Sequence, residues 1–462
     1  MKKLGLLLGV VALLVPSLVL AGDIKIGLMC PLTGKWASEG QDMKNIVSLL
    51  VDETNARGGI NGSKVDLVVE DDAGDPRTAA LAAQKLASAG VVAVIGTYGS
   101  AVTEATQNIL AESELVQIGT GSTSVRLTEK GLPLFFRTCP RDDAQGKAAA
   151  AAIIKAGYKK VALLHDNSSY AKGLAEESRA ALEKAGVKII FYDALTPGER
   201  DYTAILTKLK AASPDLIFFT GYYPETGMLL RQKKEMGWDV PMMGGDAANH
   251  QDLVKIAGPE AAAGYFFVSP PLPQDMDTDE ARNFLKAFKE RYKTVPVSVW
   301  AVLAGDAYKV LEAAIAKGNE LKTRLLNVMD RDTDAFNVVS AAFGMHKDTD
   351  EQKAEPSAAI QNGLKGCTKT PMEMMELIDE TLTLAHSLLG RFNDTSASDL
   401  GVAFLSLKAG IQGAWLNVLI NVGSLKDQEF AAEYRARGEK LLAHALPLAD
   451  ECYAEIVKLI DG

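Results

Sequence analysis

Four cysteines and five histidines are few for a chain of 462 residues, and their spacing excludes several chemistries. Cys30, Cys139, Cys367 and Cys452 form no C-x-x-C pair, so zinc sites and thioredoxin-like chemistry have no support and no metal is expected. His165, His250, His346, His386 and His444 are isolated, with no H-E-x-x-H, and each reads as a surface or packing residue. Positive charge is not in excess. A net charge of −10 argues against nucleic acid and against anionic membrane surfaces as partners. Beyond the front of the chain, no segment reads as long and apolar enough to span a bilayer. A hydrophobic content of 47% and a charged content of 23% are ordinary for a folded protein, and the length allows two to four domains.

The apolar run at the front follows Met1-Lys2-Lys3, extends from Leu4 to Leu20 and ends in Val19-Leu20-Ala21 before Gly22. A basic start, an apolar stretch and small residues at a cleavage point make a secretory signal. Residues 1–21 are expected to be removed on export, leaving a mature chain that begins near Gly22.

The most informative stretch is Val91 to Ser124. Val91–Ile95 has the composition of a buried parallel strand and ends in Gly96-Thr97-Tyr98-Gly99-Ser100, where a helical pattern begins. A second strand, Leu115–Ile118, ends in Gly119-Thr120-Gly121-Ser122-Thr123-Ser124. In open α/β sheets, ligands sit outside the carboxyl ends of strands, where helix N-termini offer free N–H groups to an anion. Ser100 and Thr123 are therefore candidates for gripping a small carboxylate. The plainer alternative is that both hydroxyls cap helices.

From Ile24 to Val268, strand and helix alternate, which predicts parallel sheets covered by helices. The pattern restarts near Ala144, after Phe136-Arg137-Thr138-Cys139-Pro140, and a second crossover fits Ser269-Pro270-Pro271. The expectation is two lobes, with crossovers near 139–141 and 269–271, closing on a ligand by a hinge.

Several segments carry a family resemblance: Asp23-Ile24-Lys25-Ile26-Gly27, Pro31-Leu32-Thr33-Gly34, Asn55-Ala56-Arg57-Gly58-Gly59-Ile60-Asn61-Gly62 and Asp71-Asp72-Ala73-Gly74-Asp75-Pro76. Over residues 22–318 the chain resembles the branched-chain amino-acid-binding proteins, type I periplasmic binding proteins that feed ABC importers. The resemblance implies a two-lobed Venus-flytrap fold in the periplasm, no cofactor, no catalysis, and delivery of a branched-chain or similar amino acid to a permease. By position, it assigns Ser100 and Thr123 to the ligand carboxylate, Tyr170 and Tyr222 to closing the cleft from the second lobe, and Asp246 to the ligand ammonium. Taken alone, Asp246 reads as a turn acid. Trp36 and Tyr98 could wall the pocket with Tyr170 and Tyr222, or simply pack the lobes. Some members of the family carry a cysteine pair where Gly74 and Gly99 stand here, so that bridge is absent. Glu39 stands where an aromatic often lines the pocket, which leaves a charged or polar side chain, or an amide, as alternative ligands.

The last third follows a different pattern. Trp300–Lys317 reads as an amphipathic helix stopped by Gly318, after which a binding protein of this kind would return to strands and complete its second lobe. Residues 321–462 instead have helical period, with breaks expected at Lys347–Asp350, Thr370-Pro371, Asn393–Ser398 and Gly423–Asp427, and predict an all-α bundle. Leu325, Val328, Met329, Ala335, Phe336, Val339, Ala342 and Phe343 make one stripe, and Asp332 lies on it. A carboxylate there loses hydration and suits general acid–base work; the plainer reading is a bundle ion pair or hydrogen bond. Ser396-Ala397-Ser398-Asp399 reads as a capping box, and Asn417 and Asn421 as a structural pair or a polar ligand site.

This segment resembles the formiminotetrahydrofolate cyclodeaminases and methenyltetrahydrofolate cyclohydrolases. Its carriers are Met329-Asp330-Arg331-Asp332-Thr333-Asp334-Ala335-Phe336-Asn337, Ala359-Ile360-Gln361-Asn362-Gly363-Leu364-Lys365, Ser398-Asp399-Leu400-Gly401-Val402-Ala403 and Gly413-Ala414-Trp415-Leu416-Asn417-Val418-Leu419-Ile420-Asn421. The resemblance implies Asp332 as the catalytic carboxylate, a tetrahydrofolate derivative as substrate, and room for a homodimer through the helical domain. It lacks that family's Pro-Gly-Gly-Gly-type opening. Three functions are thus in view: an exported amino-acid receptor, a folate one-carbon enzyme, and a hybrid of two truncated genes with neither activity intact.

Overall fold

The computed structural model describes residues 23–343, 350–387, 389 and 397–461. The expected leader, His346 and parts of the breaks expected at Lys347–Asp350 and Asn393–Ser398 lie outside the described residues, as does Ser396 of the expected capping box. Strand–helix alternation produces two all-parallel sheets. The first holds β1 (Ile24–Cys30), β2 (Val65–Asp71), β3 (Ala93–Ile95), β4 (Val116–Gly119) and β5 (Phe135–Arg137) in the order β2-β1-β3-β4-β5. Its helices are α1 (Ala37–Ala56), α2 (Pro76–Ser88), α3 (Ser100–Glu112) and α4 (Arg126–Glu129). The second sheet holds β6 (Lys160–His165), β7 (Lys188–Ala194), β8 (Leu216–Phe219), β9 (Met242–Gly244) and β10 (Phe266–Phe267) in the order β10-β9-β8-β6-β7. Its helices are α5 (Asp142–Ala156), α6 (Ser169–Lys184), α7 (Thr203–Ala212), α8 (Tyr223–Glu235), α9 (Asp252–Ala257) and α10 (Pro259–Ala262).

Ile26, Leu28, Met29 and Cys30 of β1 are all buried, as are Val161 to Leu164 of β6, because helices cover both sheet faces. Strand order reverses between β1 and β3 in one sheet and between β6 and β8 in the other. Those are the points where open α/β sheets leave a crevice at the strand ends. The chain changes sheets between Arg137 and Asp142, and it leaves the second sheet after Phe267. The strand Phe135–Arg137 is additional to the expected ones and closes the edge of the first sheet just before the crossover.

α11 (Asp279–Tyr292) and α12 (Val299–Phe343) return to the first lobe, where Gly305 of α12 lies against Ile46 and Leu50 of α1. The hydroxyl of Thr54 donates to Glu312 at 2.7 Å, and that of Thr138 to the Leu303 carbonyl at 3.0 Å. The expected stop at Gly318 does not occur: α12 is one helix of 45 residues. A single interior glycine costs only about 1 kcal/mol. Against that stand ion pairs on either side of it, Lys317–Glu380 at 2.5 Å and Arg324–Glu320 at 3.1 Å.

α13 (Asp350–His386), α14 (Ala397–Val422) and α15 (Gln428–Asp461) complete the helical part, around a core that includes Met375, Leu382, Phe404, Ile411, Val418 and Ala445. The break expected at Thr370-Pro371 is absent. Proline in a helix frees the carbonyl four residues back. Here that carbonyl belongs to Cys367, and it accepts from the Asn421 side chain at 2.8 Å. Asn421 also donates to the main chain of Asn417 at 2.7 Å. The predicted stripe is narrower than expected, since Met329 and Phe336 are 57% and 65% exposed while Val328, Val339 and Ala342 are buried. One further correction concerns membranes. Leu400–Val422 of α14 is long and apolar enough to cross one by length and composition. Lys408 and Asn417 interrupt that run in sequence and hid it.

Candidate functional site

The two crevices face each other. From the first lobe come the loops after β1, β3 and β4; from the second come the starts of α6 and α8 and the turn after β9. Trp36, Tyr98, Tyr170 and Tyr222 meet there, all nearly buried. The Trp36 ring lies 4.4 Å from Tyr222 and 5.3 Å from Tyr98; Tyr222 lies 5.1 Å from Tyr170. Gly74 and Gly99 explain how the indole fits. A Cβ at either would fall 2.6 Å or 2.9 Å from its ring, and Gly74 also has φ +65°.

Ser100 is the first residue of α3, yet neither it nor Thr123 caps a helix. The Ser100 hydroxyl accepts from the Ser124 amide at 3.2 Å, while the Thr123 hydroxyl is buried without a hydrogen-bond partner. Behind them, Thr97, Thr103 and Ser122 share hydroxyl hydrogen bonds that tie the ends of β3 and β4 together.

Asp246 opens the turn after β9 and is 1% exposed. Tyr170 donates its hydroxyl to Oδ1 at 2.9 Å, and the Gln145 amide donates to Oδ2. Gln145 Oε1 in turn accepts from the Asp246 amide at 3.2 Å. Burial pushes the Asp246 carboxyl up to about 7. Asp142, the first residue of α5, is also buried with both carboxyl oxygens unpartnered, and burial and then the charge of Asp246 hold it well above the ordinary range. The structure thus brings Trp36, Tyr98, Ser100, Thr123, Tyr170, Tyr222 and Asp246 to one buried space between the lobes. The Ser100 and Thr123 hydroxyls lie on the first-lobe side and the Asp246 carboxyl on the second, with the Asp142 carboxyl beside Thr123.

Asp142, Gln145 and His250 are additional to the expected residues, whereas Glu39 is the residue that the resemblance already placed at the pocket. Asp142 and Glu39 occupy first turns of helices, where acids are common for the dipole alone. His250, read as surface or packing, is 6% exposed and stacks on Tyr223 at 4.0 Å. The lobes are also latched at the rim. Ser38 donates to Asp252 at 2.7 Å, and Arg126 to Ser169 at 2.8 Å beside a cleft of about 440 Å³.

In the helical part, Asp332 is half-buried and accepts from the Thr370 hydroxyl at 2.8 Å across α12 and α13.

The family model described as periplasmic binding protein matches residues 23–361, and the model described as formiminotransferase-cyclodeaminase matches residues 302–440. The Leu/Ile/Val-binding protein BraC3 of Rhizobium johnstonii is 36% identical over 312 residues, 66% of this chain and 83% of that protein. An amino acid binding protein of Pseudomonas aeruginosa is 38% identical over 257 residues, 54% and 69% of the two chains. Among solved structures, the LivJ protein of Streptococcus pneumoniae in complex with isoleucine is similar with TM-score 0.60 and 32% identity, covering 65% of this chain and 88% of that one. The leucine binding protein LivK of Thermotoga maritima gives TM-score 0.59 and 28% identity, covering 64% and 83%.

Proposed function

Since the chain belongs to the periplasmic binding protein family, we propose that it captures a free amino acid between its lobes and presents it to an ABC importer. The observation that carries this reading is the buried pairing of unlike ends across the cleft. Thr123 and Ser100 offer hydroxyls for a carboxylate, and Asp246, braced by Tyr170 and Gln145, offers an anion for an ammonium. A zwitterion needs both, held apart in a dry space. The Trp36 and Tyr222 rings touch in the closed form, so the ligand parts them and is then sandwiched. Titration calorimetry with a panel of amino acids tests the reading. Asp246→Ala should weaken binding by roughly 100-fold or more, because it strands a buried ammonium. Undiminished affinity in that variant rejects the site. Export is part of the proposal, and a mature chain isolated with its N-terminus near Gly22 supports it.

The match over residues 302–440 favours a second reading, one-carbon chemistry on a tetrahydrofolate derivative with Asp332 as the working carboxylate. Folate chemistry belongs to the cytosol, and the Asp332 side chain is already engaged by Thr370. We expect little or no cyclodeaminase or cyclohydrolase turnover; turnover lost in Asp332→Asn would reverse that view. Self-association through the bundle is supported by the outer face of α14, where Val402, Leu416 and Ile420 are 61–71% exposed. Sedimentation of the full chain should show a dimer that Ile420→Glu dissociates.

A further inference from the structure

Glu39 is the third residue of α1 and is fully buried. One carboxyl oxygen has a partner: Oε1 accepts from the Ser298 hydroxyl at 2.7 Å. The other has none. Among the described residues, the one cationic or imidazole group within 4 Å of it is Nε2 of His250, on the opposite lobe, at 3.7 Å, beyond hydrogen-bond reach. His250 is held in place from its far side, where Nδ1 accepts from the Asp252 amide at 3.0 Å.

Two further polar atoms of the first lobe are buried and unpartnered in the same wall: the Trp36 indole N–H, one turn before Glu39, and the Tyr98 hydroxyl. After burial, the charge of Glu39 is the strongest influence on Tyr98. Both rings belong to the aromatic cluster that closes on Tyr222. Glu39 therefore presents a bare oxygen between the lobes, separate from the pair formed by Asp246 and Tyr170. A buried carboxyl left partly unmet is costly, and a ligand donor placed against it would favour its ionised, accepting form over the protonated one that burial imposes on the empty site.

We infer that Glu39 Oε2 is the specificity element of the cleft and that the ligand's side chain ends in a hydrogen-bond donor, either an amide or a cation. This rests on the amino-acid reading above. It departs from the aliphatic ligands named for the similar proteins. Main-chain groups of the ligand are held by Thr123, Ser100 and Asp246, and the side chain runs along Trp36 and Tyr98 to Glu39. A leucine side chain would leave the carboxyl oxygen unmet, whereas glutamine, lysine or arginine would meet it.

The test is calorimetry on the full chain with L-glutamine, L-lysine, L-arginine and L-leucine. Wild type should prefer a donor-bearing ligand over leucine by on the order of tenfold to a hundredfold. Glu39→Leu should reverse that order, with thermal melting used to show that the variant is folded. Glu39→Gln separates the two donor types: it should retain glutamine binding if the ligand is an amide, and lose most lysine or arginine binding if it is a cation. If leucine binds tightest and both variants keep that order, the inference fails while the amino-acid reading stands. If no amino acid binds wild type, both fall together.

Discussion

The lobes and the helical bundle bury different things. Among the described residues, the lobes enclose Glu39, Asp42, Asp72, Asp142, Asp166, Glu225, Asp246, His165 and His250, whereas residues 321–461 bury only Thr368 and Thr370 as polar side chains. Each ionisable group taken from water costs several kcal/mol unless it is paired. Several of those in the lobes are not fully paired: Asp72, Asp142, Asp166, Glu225 and Glu39 each keep an oxygen without a partner. The bundle keeps its charges outside, in exposed pairs such as Arg437–Glu376 and Lys365–Asp427. Its irregularity is the reverse: apolar side chains such as Phe336, Leu416 and Ile420 face outward. Buried, under-satisfied charge is the mark of a site that expects a polar guest. Exposed hydrocarbon is the mark of a surface that expects a neighbour.

This contrast can be broken most sharply by substitutions confined to one part. Gly74→Val should destabilise the lobes by about 3 kcal/mol and impair ligand binding, because the branched side chain meets Trp36 at a left-handed backbone. The bundle's unfolding step should not move. Conversely, Asn421→Leu should destabilise the bundle by about 1–3 kcal/mol by stranding the Cys367 carbonyl above Pro371, with amino-acid affinity unchanged. Calorimetric unfolding that resolves two steps checks both; a shift of both steps by either variant would show that the parts are not independent.

The smallest effect is one of pH. Burial raises Glu39 to about 8 and Asp72 and Asp246 to about 7. These groups hold protons in the folded chain that the unfolded chain releases near pH 4. The ligand-free lobes should therefore lose stability as pH rises from about 4 to about 8. The bundle should not share this loss, since Glu380 and Asp427 are held low by hydrogen bonds from Lys317 and Lys365. Affinity should run the other way. An ammonium favours ionised Asp246, so binding should weaken as pH falls below about 7, and it should release a proton, which buffer-dependent binding enthalpies would detect.

Much of the lobe architecture was legible because strand endings announce themselves. The hydroxyl-rich stops after Ile95 and Ile118 lie at one crevice, and Ser100 and Thr123 share it. Asp246, Tyr170 and Tyr222 came from resemblance, since a turn acid and two tyrosines have no distinctive spacing. Glu39 too came from resemblance, whereas Asp142 was illegible for a physical reason: a first-turn acid serves a helix dipole whether or not it also faces a ligand. The helical part misled at Gly318 and Pro371, where punctuation residues were read as stops. Both are overridden by contacts far away in sequence, from Glu380 and Asn421.

α12 begins beside the space between the lobes, where Ser298 caps its first turn while bonding Glu39, and runs unbroken into the bundle. At 1.5 Å per residue, its 45 residues make a rod of roughly 68 Å. The bundle is therefore carried as a stiff outrigger on the first lobe, and the proposed closure of the second lobe on a ligand would move that lobe relative to both. A dye on α15 paired with one on α7 would report opening and closing. The same dye paired with one on α2 would stay silent.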